Sequence, residues 1–430
     1  MTFRQAEEYL LGLELFGMRF GLDRMHKLMT VLGLPQRRFA SIHVVGSNGK
    51  SSTVRFCAAI LERHGLQTGT YTSPHLGSFR ERIEVGEEPV SESDFGAAVQ
   101  RAAHAAELVN RTQAPDDRVT QFEALTAAAY HELARRGVEV AVIEAGLGGR
   151  FDATNVIPSK VQILTTVGLE HTRWLGPTLT DIAEEKLAVV RDGGALVVGD
   201  LEPEALAVAE RIAAERQARL VRIEGEGAPC APISVHETPH PPDLGIAMRA
   251  RGRFQRRNFA LAAAGAEAFL GRPPDRGALE RAGAETRIPG RLDVVSERPL
   301  TVYDGAHNPE GARALADSLD DVLGDRRPRV AVIGVLEDKD AAGMLGVLLP
   351  TVDRAVFTRP SNPRSLPPAT LATLAEKLGG PQAETAADPQ LAVARARALA
   401  GPDGAVLATG SIYLVADLVR DEPSARASTL

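Results

Sequence analysis

Residues 42–52 of the chain read Ile42-His43-Val44-Val45-Gly46-Ser47-Asn48-Gly49-Lys50-Ser51-Ser52. A short, largely apolar stretch enters a glycine loop, and a helical pattern from Thr53 to His64 leaves it. Strand, glycine loop with lysine and hydroxyls, then helix is a layout that holds a nucleoside triphosphate. Glycine lets backbone N–H groups approach phosphates, and the helix start adds partial positive charge. Lys50 can reach the terminal phosphates, and a serine hydroxyl can bind Mg²⁺. The spacing is not that of a Walker A loop, which needs glycine where Val44 stands; the first glycine here is Gly46. Taken alone, the loop also reads as an ordinary strand-to-helix turn capped by Ser51.

Around this loop the composition is that of a soluble globular chain. The 430 residues are 44% hydrophobic and 24% charged, enough for two or three domains. The segment Met1–Glu8 has no apolar signal core, and no apolar run reaches membrane-spanning length, so no membrane partner is expected. Cys57 and Cys230 are the only cysteines, which excludes a disulfide framework or cysteine zinc site and points to the cytoplasm. A net charge of −7 argues against general nucleic-acid binding but leaves room for a local cationic site. Lysine occurs only at positions 27, 50, 160, 186, 339 and 377. Three of these fall in candidate sites, where arginine is not an equivalent replacement.

Apolar strands alternate with amphipathic helices, which predicts an α/β chain with largely parallel sheets. Strands are expected at Ile42–Val45, Gln67–Thr72, Val138–Glu144, Val161–Val167 and Ala195–Val198. Helices are expected at Thr53–His64, Phe122–Arg136, Leu179–Val190, Pro203–Arg216 and Arg256–Leu270. The proline- and glycine-rich stretch Glu224–Gly245 reads as irregular or as short strands. A second pattern gives strands Leu300–Tyr303, Arg329–Ile333, Arg354–Phe357 and Ala405–Ala408, with helices Pro309–Leu323 and Leu366–Leu378. The boundary is expected near Thr286–Gly290, dividing the chain into residues 1–287 and 288–430.

Chemistry-bearing residues gather at the ends of these strands, where ligands of open α/β sheets sit. Glu144 ends an apolar strand, as a Mg²⁺ ligand beside phosphates would, or as a cap on the glycine-rich turn after it. His171 follows the Val161–Val167 strand and is either structural or a metal ligand. Glu184, Glu185 and Lys186 read as a solvated helix face. Asp304 and His307 lie on a turn entering a helix at Pro309. Asn308 could simply cap that helix, or Arg291, Asp304 and His307 could face a nucleotide held by the first domain.

Taken in order, the motifs resemble one family. They are Phe20-Gly21-Leu22-Asp23-Arg24-Met25, His43–Lys50, Tyr71-Thr72-Ser73-Pro74-His75-Leu76 and Arg80-Glu81-Arg82-Ile83. Thr120-Gln121-Phe122-Glu123, Glu144–Asn155, Pro289-Gly290-Arg291, Asp304–Pro309, Asp338-Lys339-Asp340 and Thr409-Gly410-Ser411 follow. Together they resemble the folylpolyglutamate synthase and dihydrofolate synthase family of the Mur ligase superfamily. The resemblance implies a P-loop-like ATP-binding domain and a Rossmann-like C-terminal ligase domain. It implies that ATP drives the joining of L-glutamate to dihydropteroate or a reduced folate, in a monomer.

By the same resemblance, Gly46, Ser47, Asn48, Gly49, Lys50, Ser51 and Ser52 hold ATP, completed by Asn258, Arg291 and Asp304. Ser73, Glu144 and His171, with Ser51 a further candidate, would bind one or two Mg²⁺. Lys186 would be carbamylated and hold the second ion, reversing its reading as a solvated lysine. Gly17, Met18, Arg19, Phe20, Thr120, Gln121, Phe122, Glu123, Phe151, Asp152 and Ala153 would form the pteroate site. Ser411 would lie near glutamate, and Lys50, Lys186, Arg291 and His307 would be catalytic. The chain departs from the family at Ser51, usually glycine, at Glu170, usually aspartate, at Ser47, usually threonine, and at Leu187-Ala188-Val189. These departures leave open a Mur-type amide ligase acting on another carboxylate. A plain phosphotransferase and a non-enzymatic nucleotide-binding protein are further readings.

Overall fold

The computed structural model describes residues 1–13, 21–114, 116–223 and 245–420. Gly17–Phe20 and nearly all of the stretch Glu224–Gly245 lie outside the described residues. The first sheet contains β1 (Ala40–Val45), β2 (Thr68–Tyr71), β3 (Ile83–Val85), β4 (Glu88–Pro89), β5 (Val140–Glu144), β6 (Val161–Leu164), β7 (Ala195–Val198) and β8 (Arg219–Arg222). Their order is β4-β3-β2-β5-β1-β6-β7-β8. From β2 to β8 every pairing is parallel; β3 and β4 add an antiparallel edge.

The central strands are apolar runs buried on both faces, as a parallel sheet between helices requires. On one face lie the helices Lys50–Glu62 and Arg253–Leu270, with Phe56 and Phe259 edge-to-face at 5.2 Å. The other face holds two apolar clusters, one built around the helices Glu92–Asn110 and Gln121–Arg135 and one around Leu179–Leu187.

The second sheet contains β9 (Asp293–Glu297), β10 (Leu300–Tyr303), β11 (Arg329–Ile333), β12 (Arg354–Phe357), β13 (Ala383–Thr385) and β14 (Ala405–Thr409). Their order is β13-β12-β11-β14-β10-β9, parallel except for β9. The two-sheet, mostly parallel α/β expectation is met.

Two boundaries differ for physical reasons. β6 stops at Leu164 because Thr165 and Thr166 turn onto the Gly46–Lys50 loop. Thr165 Oγ1 donates to Asn48 O at 2.6 Å, and Thr166 Oγ1 accepts from Asn48 N at 3.0 Å. The helix expected at Pro309–Leu323 breaks into Pro309–Ala316 and Leu319–Leu323. At the break, the Ser318 hydroxyl bonds Ala314 O at 2.9 Å and accepts from Arg253 N at 3.2 Å.

Candidate active site

The site begins at the carboxyl end of β1. Gly49 takes φ 86°, a left-handed conformation that glycine adopts readily, and a Cβ there would clash with Asn258. The helix Lys50–Glu62 starts directly after it, and no side chain caps that start. Its first-turn N–H groups therefore remain available to an anion. Ser51 lies inside the helix, so the turn-with-cap reading of the loop fails. Its hydroxyl donates to Glu144 Oε1 at 2.9 Å. Lys50 folds back over the loop, donating to Gly46 O at 2.9 Å and Ser47 O at 3.2 Å. The Ser47 hydroxyl accepts from Gly168 N at 3.0 Å. Ser52 is buried beneath the loop.

Glu144 ends β5 as expected, and its second oxygen accepts from Ser73 N at 3.1 Å. Burial pushes its carboxyl above the usual range, offset by Lys50, the Ser73 and Ser51 hydrogen bonds and Arg291. A cation placed beside this carboxyl would favour its ionised form.

The solvated-face reading of Lys186, which the resemblance already reversed, does not hold: it is 1% exposed, and Nζ bonds Glu170 Oε1 at 3.1 Å. Burial pushes its ammonium below the usual lysine range. Burial works to raise the Glu170 carboxyl, but Lys186, Lys50, His171 and His307 hold it well below the usual range. Leu187 and Val189, two of the departures, pack in an apolar cluster with Ile182 and Val190.

The C-terminal sheet faces this cluster. Asp304, after β10, accepts from Leu292 N at 2.9 Å and Ala306 N at 2.8 Å, and burial raises its pKa against the pull of Arg291. Arg291 Nη1 is buried against Gly305 without a hydrogen-bond partner among the described residues. His307 approaches Gly305 O at 3.0 Å. Burial, Lys339 and Arg291 lower its pKa to about 4. His171 is likewise lowered to about 4, by burial and Lys339 first. Both rings are neutral at pH 7. Asn308 does cap the next helix, accepting from Gly311 N at 2.7 Å.

The remaining candidates are spread more widely. Asn258 packs on Gly49 and donates to Gln255 Oε1 at 3.1 Å. Thr120 and Glu123 form a capping box on the helix Gln121–Arg135, and Glu123 also binds Arg24 at 3.0 Å. Gln121 Nε2 donates to Leu10 O at 2.8 Å. Phe122 and Asp152 both lie against Gly146, Ala153 is buried, and Phe151 is exposed. Asp152 accepts from Leu147 N at 2.8 Å and Thr154 N at 3.0 Å. Buried Ser411 caps the helix Ile412–Val419, accepting from Tyr413 N at 3.1 Å.

Sequence reading missed Glu310. Asn48 Nδ2 donates to Glu310 Oε2 at 2.9 Å, and Asn308 Nδ2 donates to Asn48 Oδ1 at 3.1 Å. No local pattern marks a side chain whose partner lies 262 residues away.

Two α/β sheets meeting over an uncapped phosphate loop define the class, a two-domain ligase of the Mur type. Residues 290–412 match the family described as Mur ligase, glutamate ligase domain. A Bacillus subtilis dihydrofolate synthase/folylpolyglutamate synthase is 33% identical over 430 residues, covering 97% of this chain and 98% of that one. The chain belongs to the folylpolyglutamate synthase/dihydrofolate synthase family, a family of ATP-dependent ligases. A Haloferax volcanii protein named as a probable bifunctional folylpolyglutamate synthase/dihydropteroate synthase is 35% identical over 97% of this chain, which spans 50% of that longer protein. The structure of Mycobacterium tuberculosis folylpolyglutamate synthase complexed with ADP superposes with a TM-score of 0.88 at 32% identity, covering 96% of each chain. No helix among the described residues is long and apolar enough to cross a membrane.

Proposed function

We propose that this chain uses ATP to join L-glutamate to dihydropteroate and to reduced folylpolyglutamates through an acyl phosphate. The observation that carries the proposal is the uncapped helix start at Lys50, beside a Glu144 carboxyl that Arg291 of the C-terminal half holds down electrostatically. Both activities printed in the name of the Bacillus subtilis relative support the substrate pair. The substrate carboxylate attacks the γ-phosphorus, the bond to ADP breaks, and the acyl phosphate forms. The glutamate amine then attacks the acyl carbon, loses a proton, and phosphate leaves. Lys50 and Arg291 offset the repulsion between the reacting anions. Neutral His307 orients the acyl phosphate, and Ser411 lies on the glutamate side. Closure of residues 1–287 against residues 288–430, proposed as the two domains, keeps water from the intermediate.

Mg²⁺ keeps waters and takes one or two carboxylates beside phosphate oxygens, which the Glu144 carboxyl bonded to the Ser51 hydroxyl could supply. Glu144, Ser51, Ser73 and His171 would hold it, where it would neutralise phosphate charge. The buried Lys186 amine, with its lowered pKa, favours addition of CO₂. The carbamate so formed would need a second Mg²⁺ to offset Glu170. The chain is proposed to act as a monomer in the cytoplasm.

Purified protein given ATP, Mg²⁺ and glutamate should release phosphate only when dihydropteroate or tetrahydrofolate is added. Phosphate release with neither pterin would move the reading to another carboxylate. Lys50→Ala should lower kcat/KM by about 10²–10³-fold, the range for losing one charge-stabilising group; near-normal turnover would remove Lys50 from the mechanism.

A further inference from the structure

Glu310 stands in the first turn of the helix Pro309–Ala316 and reaches across to the phosphate loop of the other sheet. Its Oε2 accepts from Asn48 Nδ2 at 2.9 Å and presses on Gly168, where a Cβ would clash with it. The opposite end of the same carboxamide is also held, because Asn308 Nδ2 donates to Asn48 Oδ1 at 3.1 Å. Asn48 N is bonded to Thr166 and Asn48 O to Thr165. Every polar atom of Asn48 is therefore committed, and both side-chain bonds come from the C-terminal half. Lys186 and Arg313 act on Glu310 electrostatically, and its side-chain hydrogen bond is the one to Asn48.

We propose that Glu310 is a positioning residue that, with Asn308, clamps Asn48 and so makes the phosphate loop's ATP-binding shape depend on the C-terminal half. The clamp couples nucleotide binding to closure: ATP that orders the loop favours docking of Glu310, and docking favours ATP by the same factor. Glu310 touches neither substrate nor reacting atoms in this assignment. The assignment rests on the proposal that this loop binds ATP, which wild-type binding of a non-hydrolysable ATP analogue tests separately.

The experiment compares wild type, Glu310→Ala and Glu310→Gln in the full chain. Analogue affinity is measured by calorimetry, and KM for ATP and kcat by phosphate release. Glu310→Ala should weaken analogue binding and raise KM for ATP about tenfold, equivalent to about 1.4 kcal/mol, with kcat within about threefold. Glu310→Gln keeps an oxygen that accepts from Asn48 and should restore both values. In a double-mutant cycle, Asn48→Ala and Glu310→Ala should be non-additive. Unchanged or tighter analogue binding in Glu310→Ala would overturn the proposal. So would a Glu310→Gln variant as weak as Glu310→Ala, or strict additivity with Asn48→Ala.

Discussion

At the scale of single residues, charge placement decides the chemistry. His307 is buried beside Lys339 and Arg291, and both cations disfavour an imidazolium. Its folded pKa of about 4 lies below the ordinary histidine value. Between those values the unfolded chain takes up a proton that the folded chain refuses. The contribution of His307 to stability therefore rises with pH across that window and is complete above the ordinary value. Replacing Lys339 by methionine removes the charge that acts most strongly on the ring. An NMR titration of the His307 imidazole should then show its pKa shifted upward toward 6.5, the unperturbed value, and an unmoved titration would mean that burial and Arg291 set it without Lys339. Lys50, Glu144 and Arg291 were legible in the sequence because each sits in a short motif at a strand end. Glu310 and the Glu170–Lys186 pair were not, because their meaning comes from side chains on other elements.

At the scale of elements, the sequence was clearest where burial is two-sided. β1, β5, β7 and β10–β12 are largely apolar and buried, and the structure places strands there. Helices with weak contrast were less clear. Glu92–Asn110 was not expected, although Ser91 caps it and Glu92 and Asp94 open it. Its alanine-rich buried face blurs the helical period, since alanine contributes little hydrophobic contrast. The helix expected at Leu179–Val190 runs from Leu179 to Leu187, and the local pattern alone reads Lys186 as solvated; only the family resemblance sets it apart, because no local pattern shows that Lys186 points inward. Its buried ion pair with Glu170 supports a test. With Lys186 uncarbamylated, removing one partner of the buried pair leaves an uncompensated charge and typically costs about 3–5 kcal/mol. Glu170→Gln should therefore lower the denaturation midpoint strongly in urea, whereas Glu170→Gln with Lys186→Met should recover much of the loss. A single variant as stable as wild type would show that water reaches Lys186.

At the scale of the whole molecule, the C-terminal half supplies what the phosphate loop lacks. The loop offers backbone N–H groups and Lys50, and Arg291 arrives from a different sheet with a buried nitrogen that no described protein group satisfies. A buried, unpartnered guanidinium nitrogen is unfavourable in the free protein, and an anionic ligand removes that penalty. Arg291→Ala should weaken both stability and binding. Without ligand, the variant should melt below the wild-type temperature, because the buried Asp304 and Glu144 carboxyls lose a cation that offsets their burial. With a non-hydrolysable ATP analogue at about one hundred times its Kd, wild type should gain about 2.7 kcal/mol. The variant, at the same analogue concentration, should gain less than half of that, because the second sheet no longer contributes to holding the phosphates. Thermal melting of both proteins with and without the analogue reads the two effects together. Equal ligand-induced shifts in wild type and variant would mean that the nucleotide is held by the first sheet alone and that Arg291 serves a later step.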